Sequence, residues 1–466
     1  MSLMISGRRL GAFLLCLVPL AAVAGKEAAV PPDISARALE MLKRSVGFRT
    51  VEGEGQMPAF AEYLAGELRA HGFAAEDIVI TPRGETATLT ARFRGTDPAL
   101  KPILVASHMD VVPANREDWE RDPFVAVVED GFVFGRGASD NKFGLVTSTV
   151  ALIWLKQEGF EPKRDVILVF SGDEETSMET TAALAAELKG AELVLNTDAG
   201  GANLGDDGKP IVYGMQAAEK TYMDFEVTMT NPGGHSSRPG KSNAIYDLAR
   251  VLDRLAAFRF PPRTNEITKA YFEAAGATTP APAGPAMLRY AANPDDKEAY
   301  ELLVSYPEYV GQVGTTCVAT MLRGGHAPNA LPQSATANIN CRVFPGETPE
   351  FVKSTLIAAI DDPKAQVKLL GTPVPSDASP LREDVMKALR KAIDLREPGL
   401  PIVPSMSAGA TDSLHFRNKG VPSYGVGGAF MHPKDSFAHG LNERVPVATI
   451  DGALIQWRSL IRDLSR

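Results

Sequence analysis

The sequence predicts an α/β fold, a doubly wound and mostly parallel sheet into which a second, α+β unit is inserted. Three observations point there. Apolar runs at Ile103–Ser107, Val166–Phe170 and Leu193–Leu195 alternate with segments of helical spacing, the pattern of parallel strands buried on both faces. Between about 217 and 375 the texture changes to strands that alternate apolar and polar residues. After about Pro380 the chain returns to helix and short strand, as if completing the first sheet. At 466 residues, with 44% hydrophobic and 23% charged, the chain has the size and composition of a globular protein of two or three domains.

Taken in order, apolar positions at Leu39, Met41 and Leu42, then at Phe60, Leu64 and Leu68, predict helices over 34–46 and 57–71. A strand follows at Thr88–Phe93. The next, Ile103–Ser107, ends in His108-Met109-Asp110, and alternation on extended backbone puts the imidazole and the carboxylate of Asp110 on one side. Asp110 is therefore placed to hold the ring of His108. The stretch Gly135-Arg136-Gly137-Ala138-Ser139-Asp140 lacks the third glycine of a dinucleotide loop, so that reading is rejected. Asp140 is expected at the start of an amphipathic helix, Phe143–Leu155, as its cap or as a ligand. The strand Val166–Phe170 breaks at Ser171-Gly172 and delivers Asp173, Glu174 and Glu175; the strand Leu193–Leu195 delivers Asp198. In such sheets ligands gather beyond the carboxyl ends of the strands.

From Tyr222 the predicted order is strand, turn at Pro232–Ser237, helix at 244–258, strands Thr315–Leu322 and Ala335–Phe344, helix to about Ile360, strand Gln366–Leu370. That β-α-β-β-α-β order is ferredoxin-like. Domain bounds of 25–216 and 376–466 for the first unit and 217–375 for the second follow, with an irregular insertion at about 259–311 that carries a proline, alanine and glycine patch at Thr278–Pro285 and a helical patch at Asp296–Val304. The second and third strands of that topology form a hairpin carrying Cys317 and Cys341, either as one bridge or as two buried thiols.

Residues 1–24 have the layout of a cleaved signal: Arg8-Arg9, an apolar run Leu10–Val23, then Ala22-Val23-Ala24. The expected destination is secreted or periplasmic, with no membrane anchor left after cleavage. Loss of Arg8 and Arg9 leaves 46 basic residues against 57 acidic ones, a formal charge of −11, which argues against a nucleic-acid partner.

The ligand-type residues past the strands and in the late loop are His108, Asp140, Glu175, Asp198 and His439. Two histidines and three carboxylates exceed one tetrahedral ion and suit two borderline ions, zinc above all. The motifs Ser107-His108-Met109-Asp110, Gly135–Asp140, Ser171–Glu175, Gly233-Gly234-His235-Ser236 and His439-Gly440 together resemble the M20 family of metallopeptidases. That family includes glutamate carboxypeptidases, aminoacylases, carnosinase-type dipeptidases and the carboxypeptidase S group, and the likeness extends over nearly all of the mature chain.

The resemblance implies a dizinc peptidase domain with an inserted lid or dimerisation domain. It implies that Asp140 bridges two Zn2+ ions per subunit, with Co2+ or Mn2+ as possible substitutes. His108 and Asp198 would complete one site, Glu175 and His439 the other. It gives Glu174 the role of general base towards a metal-activated water, with Asp110 beside it, and gives His235 that of steadying the oxyanion from a neighbouring subunit's second domain. Arg342, Asn329 and Gly409 match positions that hold a substrate's carboxylate. His71, His326, His415 and His432 match none. The expected activity is cleavage of small peptides with a free C-terminal carboxylate; an N-acyl-amino-acid amidohydrolase is the alternative. A homodimer through the inserted domain would follow. A binding protein that has lost its chemistry is disfavoured by the presence of all five ligands and Glu174, and no Gly-x-Ser-x-Gly elbow or His-Glu-x-x-His motif supports another hydrolase class.

Overall fold

A computed structural model describes residues 29–466; the leader expected over 1–24 lies outside them. No helix among the described residues is long and apolar enough to cross a membrane.

The centre of the molecule is a ten-stranded sheet. Its middle strands, Val166–Ser171, Ile103–His108, Leu193–Asn196 and Ser423–Gly425, run parallel to their neighbours, while Thr86–Phe93 at one side and Pro210–Glu219 at the other turn antiparallel. Side-chain alternation divides the core. Ile103, Val105, Val166, Leu168 and Phe170 join the larger apolar cluster on one face, whereas Leu104, Ala106, Ile167 and Val169 join Leu184 and Phe416 on the other. Both faces being covered explains why these strands read as unbroken apolar runs.

On the larger side lie Pro32–Val46, Lys142–Gln157, Glu383–Asp394 and Thr449–Leu464. The helix expected to be amphipathic over Phe143–Leu155 runs over Lys142–Gln157 and is not amphipathic: every residue from Lys142 to Leu155 is buried. The helix is sheathed by the sheet and by the first and last helices, so no face is left for water. The register brings His108 level with Ser171, and the loops after these strands therefore open at the same edge of the sheet.

Pro210–Glu219 stays in this sheet to its last residue, and Thr221–Thr230 belongs to another, so the change of sheet falls at Lys220. The second sheet has four strands, all antiparallel, in the spatial order Thr316–Gly324, Ser334–Val343, Thr221–Thr230, Gln366–Leu370. Helices Ala244–Ala257 and Pro349–Ile360 pack on one face around Phe225, Ile339 and Leu356. This is the ferredoxin-like order. Cys317 and Cys341 face each other across two neighbouring strands and form a disulfide.

The stretch 259–311, expected to be irregular apart from the helical patch at Asp296–Val304, is largely helical: Glu266–Gly276, Ala283–Ala292, Lys297–Val304 and Pro307–Val310. A capping box between Asn265 and Thr268 starts the first of these helices. Phe272, Met287, Tyr290 and Leu303 give the group a small core of its own. The run 278–285, rich in proline, alanine and glycine, is the turn into the second helix, whose alanines favour helix once it begins.

Candidate metal centre

His108 is the last residue of its strand and is 1% exposed. Its Nδ1 lies 3.0 Å from the backbone carbonyl oxygen of Asp110 and 3.5 Å from that residue's carboxylate. The expected carboxylate contact is thus the longer one. Asp110 instead accepts the backbone N–H groups of Glu174 at 3.1 Å and Glu175 at 2.9 Å, which ties the first strand-end loop to the second. With Nδ1 against a carbonyl, Nε2 of His108 faces the acids, 3.0 Å from Asp140 Oδ1 and 3.5 Å from Asp198 Oδ1.

Asp140 does not cap the helix. The helix begins at Lys142 behind Asn141, and Asp140 lies one position ahead, turned towards the two imidazoles. Its other oxygen is 3.3 Å from Nε2 of His439, which also sits 2.9 Å from Glu175. Two triads result, His108 with Asp140 and Asp198, and Asp140 with Glu175 and His439, each with ligand atoms within 4.8 Å of one another. They share Asp140. The five residues collected from the sequence are therefore brought together, with Glu174 alongside in a third grouping with His108 and Glu175.

The donor set fits a pair of divalent ions. Burial, followed by the neighbouring Asp140 charge, pushes the Asp198 carboxyl up to about 7, and burial pushes Glu174 well above the usual carboxylate range. Asp140 goes the other way: burial would raise it, but hydrogen bonds from His108 and His439 hold it below that range. So many carboxylates at one buried spot need cations or protons among them, and bound cations let all of them stay ionised. Imidazole and carboxylate donors suit zinc and its near neighbours.

Residues outside the collected set build the frame. Glu443, fully buried, accepts hydrogen bonds from Arg136 Nη1 at 2.7 Å, Ser139 N at 2.8 Å, Asp140 N at 2.9 Å and Gly137 N at 3.1 Å. It fastens the loop of His439 to the loop of Asp140. The one signal in the sequence was an acid shortly after His439-Gly440, with Arg136 far upstream to balance it. Asp412 accepts from Ser171 Oγ at 2.7 Å and from Thr181, closing the site from behind. Asp173, first of the three acids after Gly172, turns away to take the Ser177 hydroxyl at 2.8 Å and the Thr180 N–H at 3.1 Å.

The remaining candidates fall into two pairs. Arg342 donates to the Ala408 carbonyl at 3.2 Å and lies over the Tyr222 ring, which puts it beside Gly409. His235 pairs with Ala330 in a two-stranded ribbon, next to Asn329, whose carbonyl accepts the Ser236 N–H. No hydrogen bond among the described residues joins either pair to the His108 cluster. The His235 ring is exposed, and its Nδ1 accepts the Ser237 N–H at 3.1 Å.

Comparison with known proteins converges on one group. The model of Peptidase family M20/M25/M40 matches residues 104–463. The N-fatty-acyl-amino acid synthase/hydrolase PM20D1 of Mus musculus is 30% identical over 383 residues, 76% of this chain and 72% of its own. Probable carboxypeptidase S-like 2 of Dictyostelium discoideum is 25% identical over 81% of this chain and 75% of its own. Among solved structures, the M20 family metallo-carboxypeptidase Sso-CP2 of Sulfolobus solfataricus superposes with a TM-score of 0.66 at 21% identity, covering 91% of this chain and 98% of that one.

Proposed function

Because the chain belongs to peptidase family M20/M25/M40, we propose that it is an exported two-zinc hydrolase that cleaves the amide bond of a small substrate bearing a free C-terminal carboxylate. The observation that carries this reading is the pair of His/carboxylate triads sharing Asp140, with Glu174 beside them and outside both.

In this reading His108 and Asp198 would hold one ion and Glu175 and His439 the other, with Asp140 shared between the two groups. Such a pair of ions, when bound, lowers the pKa of a water and polarises the scissile carbonyl. Glu174 accepts the proton of the attacking water and hands it to the leaving nitrogen. Asp110 keeps Glu174 and Glu175 in register through their backbone N–H groups. His235 supplies a hydrogen bond to the oxyanion: with Nδ1 accepting from Ser237, a neutral ring carries its proton on Nε2, the nitrogen left free to donate. Arg342, with Gly409 and Asn329, takes the substrate carboxylate.

The acyl side separates two readings. A peptide, as in carboxypeptidases and dipeptidases, is the first; an N-acyl amino acid is the second, favoured by the 30% identity to an N-fatty-acyl-amino acid synthase/hydrolase. Elemental analysis of the purified protein, with rates on dipeptides, N-acetyl and N-long-acyl amino acids, tests both. Two transition ions per chain and turnover of dipeptides are expected. Turnover of acylated compounds alone removes the first reading, and an active preparation without transition ions removes the metal centre itself.

The second domain, 217–375, acts in this reading as lid and dimerisation unit, joining two copies through Thr316–Gly324. That strand lies at the sheet's edge and exposes Val318, Met321 and Leu322.

A further inference from the structure

A cavity of about 560 Å³ opens on the far side of the second sheet, within the size range of small-molecule sites. Its wall is made by Leu252, Leu255 and Phe258 of the first helix of that domain and its end, by Val304 and Val310 of the helical insertion, by Val313 just after it, and by Ile339 and Leu356. The Cys317–Cys341 bridge lies at the same wall through Cys317. Alternation along Ser334–Val343 buries Ile339 and Cys341 towards the helices and leaves Arg342 on the opposite face. The cavity is therefore separate from the side of the sheet that carries the candidate substrate-carboxylate residue.

Polar side chains in this wall are already engaged. The Tyr300 hydroxyl donates to the Phe260 carbonyl at 3.1 Å, and the Thr315 hydroxyl is taken up by Glu347 and by the Phe344 N–H. Arg259 apart, a peptide placed here would find no charged side chain and only hydroxyls already engaged, so most of its backbone groups would be buried unpaired. A hydrocarbon chain needs no partner. One charged side chain lines the cavity: Arg259, exposed, with Nη1 on the carbonyls of Ala256 and Phe258 at 2.9 Å and no ion pair among the described residues. An apolar cavity with a single unpaired cation on its lining matches an amphiphile with one negative head.

We infer that this cavity binds a long-chain monocarboxylate, with the hydrocarbon tail among Leu252, Leu255, Val304 and Ile339 and the carboxylate on Arg259. The test is a fluorescence titration of the purified, metal-loaded protein with cis-parinaric acid. Saturable binding of one molecule per chain is expected. Leu255→Trp, which puts an indole into the tail volume, weakens it by about tenfold or more, the loss of one or two buried methylenes' worth of contact. Arg259→Gln weakens it by about threefold, the worth of an exposed ion pair, and leaves competition by a fatty alcohol unchanged. Because Arg259 is on the surface, its variant decides the matter even if Leu255→Trp fails to fold. Absence of saturable binding, affinity unchanged by Arg259→Gln, or displacement of the probe by excess dipeptide, which would put it in the catalytic cleft, each overturns the inference.

Discussion

Glu174 is 9% exposed and touches the metal-ligand cluster without belonging to either of the triads that share Asp140; in the proposed mechanism its carboxylate is left for proton transfer while its neighbour Glu175 is committed to an ion. Glu174→Gln keeps the shape and removes the basicity. The expected result is unchanged metal content by elemental analysis with kcat lower by about 10²- to 10⁴-fold; metal retained at a full rate would assign the base to another group. Lys220, at the change from one sheet to the other, is 1% exposed, and burial brings its ammonium down to about 7, against the opposing pull of Glu347. An unfolded lysine titrates near 10.4, so across roughly pH 7 to 10.4 the folded chain holds fewer protons than the unfolded one and stability rises with pH. Lys220→Met removes the buried charge. Its Tm should exceed that of the native protein at pH 7, by the equivalent of about 1–3 kcal/mol, with the gap closing towards pH 10.4. A gap that does not change with pH would mean the ammonium is already compensated. The site's residues were legible at this scale wherever a strand ended in them. His108, Glu175 and Asp198 follow apolar runs, whereas Glu443 owes its role to donors in a loop far upstream, a pairing no local pattern records.

Among the elements, strands were read most accurately where both faces are buried, because Ile103–His108 and Val166–Ser171 carry an unbroken apolar signal. The antiparallel wing was harder. Ile78–Arg83 is mostly exposed and was missed, and Pro210–Glu219 and Ile402–Ser407 contain prolines and polar residues that weaken the pattern. Burial also defeated the amphipathic reading of this helix, Lys142–Gln157, whose environment is set by the first helix, about a hundred residues earlier, and the last, some three hundred later. The two loops that matter most are joined by Glu443. Breaking its buried pair with Arg136 leaves an uncompensated charge, at a cost of about 3–5 kcal/mol. Glu443→Gln, which keeps the volume but leaves Arg136 without its counter-charge, should lower stability by that amount and also weaken the metals: with the Asp140 and His439 loops less firmly held, affinity falls by about 10- to 100-fold, as for other partners behind metal ligands. Competition with a chelator measures this. Affinity equal to the native value would reduce Glu443 to a purely structural residue.

At the scale of the whole molecule, the proposed dimer links the metal centre to the second sheet. Among the described residues Thr316–Gly324 has a strand neighbour on one side only, and Val318, Met321 and Leu322 are more than half exposed on it, at 61%, 64% and 64%. An unpaired apolar edge of this kind invites a second copy to add its own edge. His235 is exposed on a ribbon of the same domain, without a hydrogen bond to the metal-ligand cluster of its own chain among the described residues, as expected of a group offered to a neighbour. The two features make a joint prediction. Met321→Lys with Leu322→Lys should give a monomer by light scattering that still binds its metals, with kcat reduced by about 10²- to 10³-fold, the worth of one oxyanion donor. His235→Ala should lose a similar factor while remaining dimeric, and combining both changes should add nothing further, because each removes the same hydrogen bond. A monomer working at the native rate would place His235 outside the reaction, and losses that multiply in the combined variant would give the edge strand and the histidine independent roles.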